Sequence, residues 1–288
     1  MPPSNLLLEV LTDAVNALKR SGSPSPHLDA EVLLCHQLSM SRTDLYTRFH
    51  QMLSDDQADG FRRLIKRRMK AEPVAYIRGF KEFWSLPFEV SPAVLIPRPD
   101  TEILVQEVLN VSRGFGQQRP DLLEIGTGSG VVSIALAVEL ANVRIVATDV
   151  SCAALEIAKK NAEVHSVADR ISFREGDLFE AISEKFDTIA SNPPYISEAV
   201  FAQLPPGVRD YEPREALVAG PKGTEFHEAL IRDGKQYLKE GGRLLMEIGD
   251  GQKDAISAIF ETDGCYEDIR FSADYSGLLR VAIARRKV

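Results

Sequence analysis

Leu122-Leu123-Glu124-Ile125-Gly126-Thr127-Gly128-Ser129-Gly130 decides how this 288-residue chain is read. Leu122 to Ile125 is a short apolar run carrying one acid, the pattern of a buried strand. Three alternate glycines come next, and an apolar helix is expected from Ser129 to Leu140. Glycines let a backbone turn sharply and approach a ligand closely. The helix start behind them offers unpaired N–H groups and a positive dipole end. The spacing G-x-G-x-G is shorter than the G-x-G-x-x-G of dinucleotide folds. With Glu124 ahead of it, it suits a ligand without a pyrophosphate. S-adenosylmethionine fits: its carboxylate can meet backbone N–H groups and its amine a nearby carbonyl. Glu124, Ile125, Gly126, Thr127, Gly128 and Ser129 are therefore candidate cofactor contacts. A helix-capping turn without a ligand is the plainer alternative, and a nicotinamide enzyme is the competing class.

Working outward, strands and helices alternate from about residue 120. Strands are expected at Asp121–Ile125, Arg144–Thr148, Ile171–Glu175, Asp187–Ser191 and Arg243–Ile248. Helices are expected at Cys152–His165 and Thr224–Leu238, with Tyr266–Phe271 and Leu278–Ala284 closing as an antiparallel pair. Such alternation means an α/β fold with a mostly parallel sheet covered on both faces. Asp149 ends the next strand, where a carboxylate can accept from both ribose hydroxyls; alone, it would read as a cap for the helix after Ser151. One strand on, Gly176-Asp177-Leu178-Phe179 offers Asp177 for an exocyclic amine and Leu178 and Phe179 for an adenine ring.

The strand ending at Ser191 runs into Asn192-Pro193-Pro194-Tyr195. Neither proline has an N–H to donate, so the ladder must stop at Asn192. In open α/β sheets ligands bind at this edge. The Asn192 side-chain oxygen and the Pro193 carbonyl can each accept one N–H of a planar NH₂ group. Tyr195 can stack on that group or line the slot; the alternative is a tyrosine packed as core. Asn192, Pro193 and Tyr195 are the candidate catalytic residues, and Asn192, Pro193, Pro194 and Tyr195 the candidate acceptor contacts.

The first 75 residues read as helices. Leu6, Leu7, Val10, Leu11, Ala14, Val15 and Leu18 recur at helical spacing, with Ser4 or Asn5 as cap. Further helices are expected over Leu28–Leu38, after Ser41 and after Ser54. The last ends in a basic run over residues 62–70, read first as a solvated helix face. Residues 76–99 change character: Tyr76–Trp84 and Leu86–Val90 read as two strands of a hairpin. The expected domains are 1–75, a hairpin linker 76–99, and 100–288.

The net charge of −8 is uneven, with 11 Lys/Arg against 9 Asp/Glu in residues 1–80 and 23 against 33 in the rest. An acidic catalytic region is a poor start for a duplex-DNA enzyme, whose affinity comes largely from phosphate contacts. No signal-peptide pattern and no run of about 18 apolar residues is present. Three scattered cysteines fit neither a disulfide framework nor a zinc site. A cytoplasmic monomer without metal or membrane contact is expected.

Several segments together resemble the HemK/PrmC family, methyltransferases acting on a glutamine side chain of peptide-chain release factors. They are Gly79–Trp84, Leu95-Ile96-Pro97-Arg98-Pro99-Asp100-Thr101-Glu102, Glu124–Gly130, Ser191–Tyr195, Tyr211-Glu212-Pro213-Arg214-Glu215-Ala216-Leu217 and Asp274-x-x-Gly277-x-x-Arg280. The resemblance implies a class I S-adenosylmethionine-dependent methyltransferase domain, Rossmann-like with a seven-stranded mostly parallel sheet. A small all-α N-terminal substrate-recognition domain and a linking β-hairpin would precede it. It implies a class I release factor as partner, with the glutamine of its Gly-Gly-Gln loop as acceptor and S-adenosylhomocysteine as product. It places Gly126–Ser129, Asp149 and Leu178 around the cofactor, and Asn192 against both cofactor and glutamine. Leu178 departs from the aromatic of some relatives, which implies weaker adenine stacking. The rival is a nucleic-acid adenine methyltransferase, which needs a base-flipping slot and a basic groove.

Overall fold

The computed structural model describes residues 5–113 and 119–288. It divides into two compact units, Met1–Gly79 with Pro205–Tyr211, and Phe80–Leu204 with Glu212–Val288.

The first unit holds five helices in its N-terminal stretch: α1 (Leu7–Arg20), α2 (Pro26–Leu38), α3 (Arg42–Thr47), α4 (Asp55–Arg68) and α5 (Val74–Arg78). Their apolar faces close over Leu7, Leu18, Leu33, Leu34, Leu45 and Phe61. Ser41 and Ser54 cap α3 and α4 in reciprocal capping boxes with Asp44 and Gln57. Helix α1 is not capped by Asn5, one of its two expected caps. Its first N–H groups are met by backbone carbonyls, Leu7 N to Gln51 O at 2.9 Å and Leu8 N to Phe49 O at 3.3 Å. Asn5 instead bonds Asp55 and Arg62, and Ser4 lies outside the described residues. In the basic run, Arg62 pairs with Asp59, Arg67 with Glu72 and Arg68 with Asp29. Residues 76–78, expected as strand, belong to α5. Pro73 sets the entry of that helix, and Gly79 ends it in the left-handed region at φ 79°.

The second unit opens with the hairpin β1 (Phe80–Phe83) and β2 (Leu86–Glu89). Its two-residue turn puts Trp84 and Ser85 at positive φ without a glycine. Trp84 is held there by its backbone N–H to Glu102 at 2.9 Å and its indole N–H to Glu139 at 2.8 Å. Phe83 and Phe88 are buried in the core of this unit, so the expected linker packs as part of the sheet domain. Helix α6 (Thr101–Ser112) comes next.

The main sheet comprises β3 (Asp121–Ile125), β4 (Arg144–Asp149), β5 (Ile171–Glu175), β6 (Phe186–Ser191), β9 (Leu238–Glu247), β10 (Tyr266–Ala273) and β11 (Leu279–Arg286). Its order is β10-β11-β9-β6-β3-β4-β5, with β11 alone running antiparallel, between β9 and β10. The small pair β7 (Ile196–Ser197) and β8 (Val218–Gly220) lies apart from it. Helix α7 (Val131–Glu139) links β3 to β4, and α8 (Cys152–Val164) leads from β4 toward β5. The one-turn helices α9 (Glu198–Phe201) and α10 (Pro206–Arg209) fall between β7 and β8 in the chain. Helices α11 (Glu225–Tyr237) and α12 (Lys253–Asp263) flank β9 in sequence. Successive side chains of the sheet alternate between two cores. Leu122, Ile145, Leu245 and Val281 pack on one side with α6 and α7. Leu123, Val146, Leu244 and Ala282 pack on the other with α11 and α12. Strand β9 starts five residues before the expected Arg243. Its pairing with β6 shifts register between Phe186 and Thr188, where Gly241 takes φ 72°.

Strand β3 is flanked by β4 on one side and β6 on the other, so the winding reverses there. Ile125 pairs with Thr148 and with Ser191. That register brings the loops after β3, β4 and β6 to one edge, the position at which open α/β sheets bind ligands.

Candidate active site

A cavity of about 340 Å³ opens at this edge, within the size range of small-molecule sites. Gly126 to Ser129, Asp149, Asp177, Leu178 and Asn192 to Pro194 all line it.

The glycine loop is pinned from below. Gly126 N and Thr127 N both donate to Thr148 O at 2.9 Å. Gly126, Gly128 and Gly130 take φ of 75°, 56° and 83°, which disfavour any residue with a Cβ. At Gly130 a Cβ would also sit 2.9 Å from Ile134 Cδ1 and 3.1 Å from Ala158 Cβ. Glu124 borders the cavity yet is spent largely on this loop. Its Oε2 accepts from Thr127 Oγ1 at 2.7 Å, from Ser133 N at 3.1 Å and from the Ser133 hydroxyl. Burial pushes its carboxyl up to about 7, against the pull of those donors and with the help of the Asp149 charge.

Asp149 does not cap α8, which Ser151 caps by accepting from Ala154 N at 3.2 Å; it braces the turn before that helix and faces the cavity at once. Its Oδ1 accepts from Ser151 N at 2.9 Å, at the start of α8. Its Oδ2 accepts from Gly128 N at 2.8 Å and so ties the glycine loop to β4. Burial raises its pKa. Carboxylate oxygens have lone pairs beyond these two bonds, and the residue lines the cavity. Leu178 reaches the wall from a left-handed backbone, φ 47°. Phe179 does not: it is buried against Tyr237, the rings stacked with centroids 4.6 Å apart and planes parallel within 1°.

At the end of β6, Asn192 Nδ2 donates to Thr101 Oγ1 at 3.1 Å. Pro193 and Pro194 line the cavity beside it, whereas Tyr195 is not among the lining residues. The Tyr195 hydroxyl points to Glu247, donating to Oε1 at 3.3 Å, and its backbone oxygen accepts from Gln252 Nε2 at 3.0 Å. Glu247 is buried, and its carboxyl is pushed up to about 7 by desolvation. No sequence pattern gives a site role to Thr101, Glu212 or Glu247, although Thr101 and Glu212 fall within the resemblance segments Leu95–Glu102 and Tyr211–Leu217. Only Glu247 carried a local signal, an acid inside the apolar run Leu244-Leu245-Met246-Glu247-Ile248.

The family model of the PrmC N-terminal domain matches residues 9–79, and that of the methyltransferase small domain matches residues 99–203. A release factor glutamine methyltransferase of Rhodopirellula baltica is 40% identical over 279 residues, covering 96% of this chain and 93% of that protein. This chain belongs to the release factor glutamine methyltransferase family. A member from Aliivibrio fischeri is also 40% identical, over 278 residues and 96% of both chains. Among solved structures, a methyltransferase from Pyrococcus furiosus shares the fold, with TM-score 0.51 and 20% identity over 72% of this chain and 92% of that one. The expected fold, a class I methyltransferase domain preceded by a helical region, is the one observed. Among the described residues no helix is long and apolar enough to cross a membrane, and no cluster of His, Cys, Asp and Glu could hold a metal ion.

Proposed function

We propose that this protein transfers the methyl group of S-adenosylmethionine to the side-chain amide nitrogen of the glutamine in the Gly-Gly-Gln loop of class I release factors. S-adenosylhomocysteine is the other product, and the reaction tunes translation termination in the cytoplasm. The observation that carries this reading is the meeting of the glycine loop, Asp149 and Asn192 in one cavity.

The residues suit the cofactor. Gly126 to Ser129 would hold its amino-acid end, Asp149 its ribose, and Asp177 with Leu178 its adenine. When bound, it supplies a methyl group already activated as a sulfonium. The remaining difficulty is the acceptor, whose nitrogen lone pair is delocalised into the amide. Asn192 Nδ2 is committed to Thr101, so its oxygen is the end left to accept a glutamine N–H. The Pro193 carbonyl accepts the second. Two such acceptors hold the nitrogen in line and support the positive charge that develops on it. Proton loss comes after transfer and needs no base from the chain. Two glycines beside the acceptor let an extended loop enter a narrow slot without side-chain clashes. The N-terminal helices are the candidate surface for the rest of the release factor.

The test is to incubate the protein with labelled S-adenosylmethionine and either a purified release factor or duplex DNA. Label is expected on the glutamine. Label on DNA and none on the release factor would overturn the reading.

A further inference from the structure

Gln252 stands just before α12, yet its side chain makes no bond to the start of that helix. It turns back into three loops instead. Its Oε1 accepts from Gly249 N at 2.8 Å, in the turn after β9. Its Nε2 donates to Gly223 O at 2.9 Å, between β8 and α11, and to Tyr195 O at 3.0 Å, in the loop after β6. Two carbonyls at one end and an N–H at the other suit a carboxamide in one orientation only. Two missing side chains make the room. A Cβ on Gly223 would lie 2.8 Å from Tyr195 O and 3.2 Å from Gln252 Nε2. One on Gly249 would lie 3.1 Å from both Gln252 Oε1 and Tyr195 Cδ2.

We propose that Gln252 is a positioning residue for methyl transfer: it fixes the Tyr195 carbonyl and, through the two prolines before it, the Pro193 carbonyl that accepts from the acceptor amide. This rests on the role given to Asn192 and Pro193 above. The path between the two carbonyls is short and stiff. The rings of Pro193 and Pro194 lock their φ angles, so holding the far end of the loop holds the near end. Tyr195 is outside the cavity lining, and its hydroxyl donates to Glu247 Oε1 at 3.3 Å. It is the anchor point of the loop rather than a wall of the slot. The other end is tied by Asn192 Nδ2 to Thr101 Oγ1, so the Pro193 carbonyl lies between two fixed ends. The start of α12 gives no reason for a glutamine at 252, since the side chain bonds nothing there. A clamp on three loops does.

The test uses the full-length protein, a purified release factor and labelled S-adenosylmethionine. Gln252→Met keeps the length of the side chain and removes all three hydrogen bonds. Its kcat should fall on the order of 10-fold or more, as a displaced reacting group requires, with cofactor affinity unchanged. With Pro193 and Pro194 both changed to Ala, the anchor no longer reaches the Pro193 carbonyl. Adding Gln252→Met to that chain should bring little further loss. Gln252→Glu keeps the acceptor for Gly249 N but donates only when protonated. Its turnover relative to the parent should rise as pH falls, and this variant decides if Gln252→Met does not fold. Full turnover in Gln252→Met, losses that multiply with those of the proline variant, or a Gln252→Glu ratio flat with pH would overturn the proposal. If Asn192→Ala keeps its turnover, the reading of the loop falls and this inference with it. If Asn192→Ala loses turnover and Gln252→Met does not, this inference alone fails.

Discussion

Arg98 and Glu212 stand 114 positions apart, and their side chains meet at 2.5 Å, Nη2 to Oε1. The other Glu212 oxygen accepts the Ile96 N–H at 3.1 Å. One buried carboxylate thus fastens Leu95-Ile96-Pro97-Arg98 to the segment before Pro213. Pro97, Arg98 and Pro213 all line the cavity, so this pair holds one wall of the site.

Replacing Glu212 by Ala should therefore reach the site as well as the fold. It leaves the Ile96 N–H without its acceptor and Arg98 without its partner. A loss of about 3 kcal/mol in unfolding free energy is expected, the lower end for a broken buried pair, because Arg98 keeps some access to water. Urea unfolding measures it. The KM for the release factor should rise more than kcat falls, since the wall moves and the chemistry does not.

Asn192→Ala should lower methyl transfer on the order of 10²-fold, the usual loss when one aligned hydrogen bond to a developing charge is removed. Equilibrium binding of the cofactor should change much less. Near-full turnover in this variant would remove the carboxamide from the mechanism. Converting Pro193 and Pro194 to Ala together tests stiffness separately. With Asn192 intact, turnover should fall while the accepting carbonyl remains.

Gly130→Ala combines a backbone penalty at φ 83° with a contact of 2.9 Å to Ile134 Cδ1 and a tight approach to the Ala158 backbone. Gly126→Ala meets nothing within 4 Å and carries only the penalty of its φ. Gly126→Ala is expected to cost about 1 kcal/mol, and Gly130→Ala distinctly more. Paired thermal unfolding of the two variants checks the order.

Glu124 and Glu247 give a pH prediction of definite sign. Burial lifts each from an ordinary 4.5 to about 7 in the folded chain. Between those values the folded protein binds more protons than the unfolded chain. Their contribution to stability is therefore fully present below pH 4.5, is lost as pH rises to about 7, and stays lost above it. Glu124→Gln keeps an acceptor for Thr127 and Ser133 but cannot titrate. Its stability relative to the parent should improve steadily from pH 4.5 to about 7 and then level off. A parent-minus-variant difference that is flat over that window would show that Glu124 is not protonated in the folded state.

Much of the fold was legible because its signals are local. The strand β3, the glycine loop and the capping boxes at Ser41 and Ser54 each rest on residues within a few positions of one another. The misses have equally physical causes. Tyr76–Arg78 alternates well enough for a strand, but Pro73 and Gly79 bracket one turn of helix. The cap of α1 comes from the Phe49 and Gln51 carbonyls, far along the chain, which no local pattern encodes. Phe179 reads as a ring beside a cofactor, but its stacking partner Tyr237 is supplied by α11 and turns it into the core.

Where each strand stops is written in its own residues. Gly126, Asp149 and Asn192 each mark a strand end, because the residues there cannot extend a ladder or turn the chain into the next helix. Whether those ends meet depends on strand order, and β6 lying beside β3 rather than β5 is a tertiary outcome of burying both sheet faces. The same holds for the direction in which Asn192 points. Its residue type supplies one donor end and one acceptor end. Which end faces the cavity is decided by Thr101, brought to it from 91 residues before in the chain.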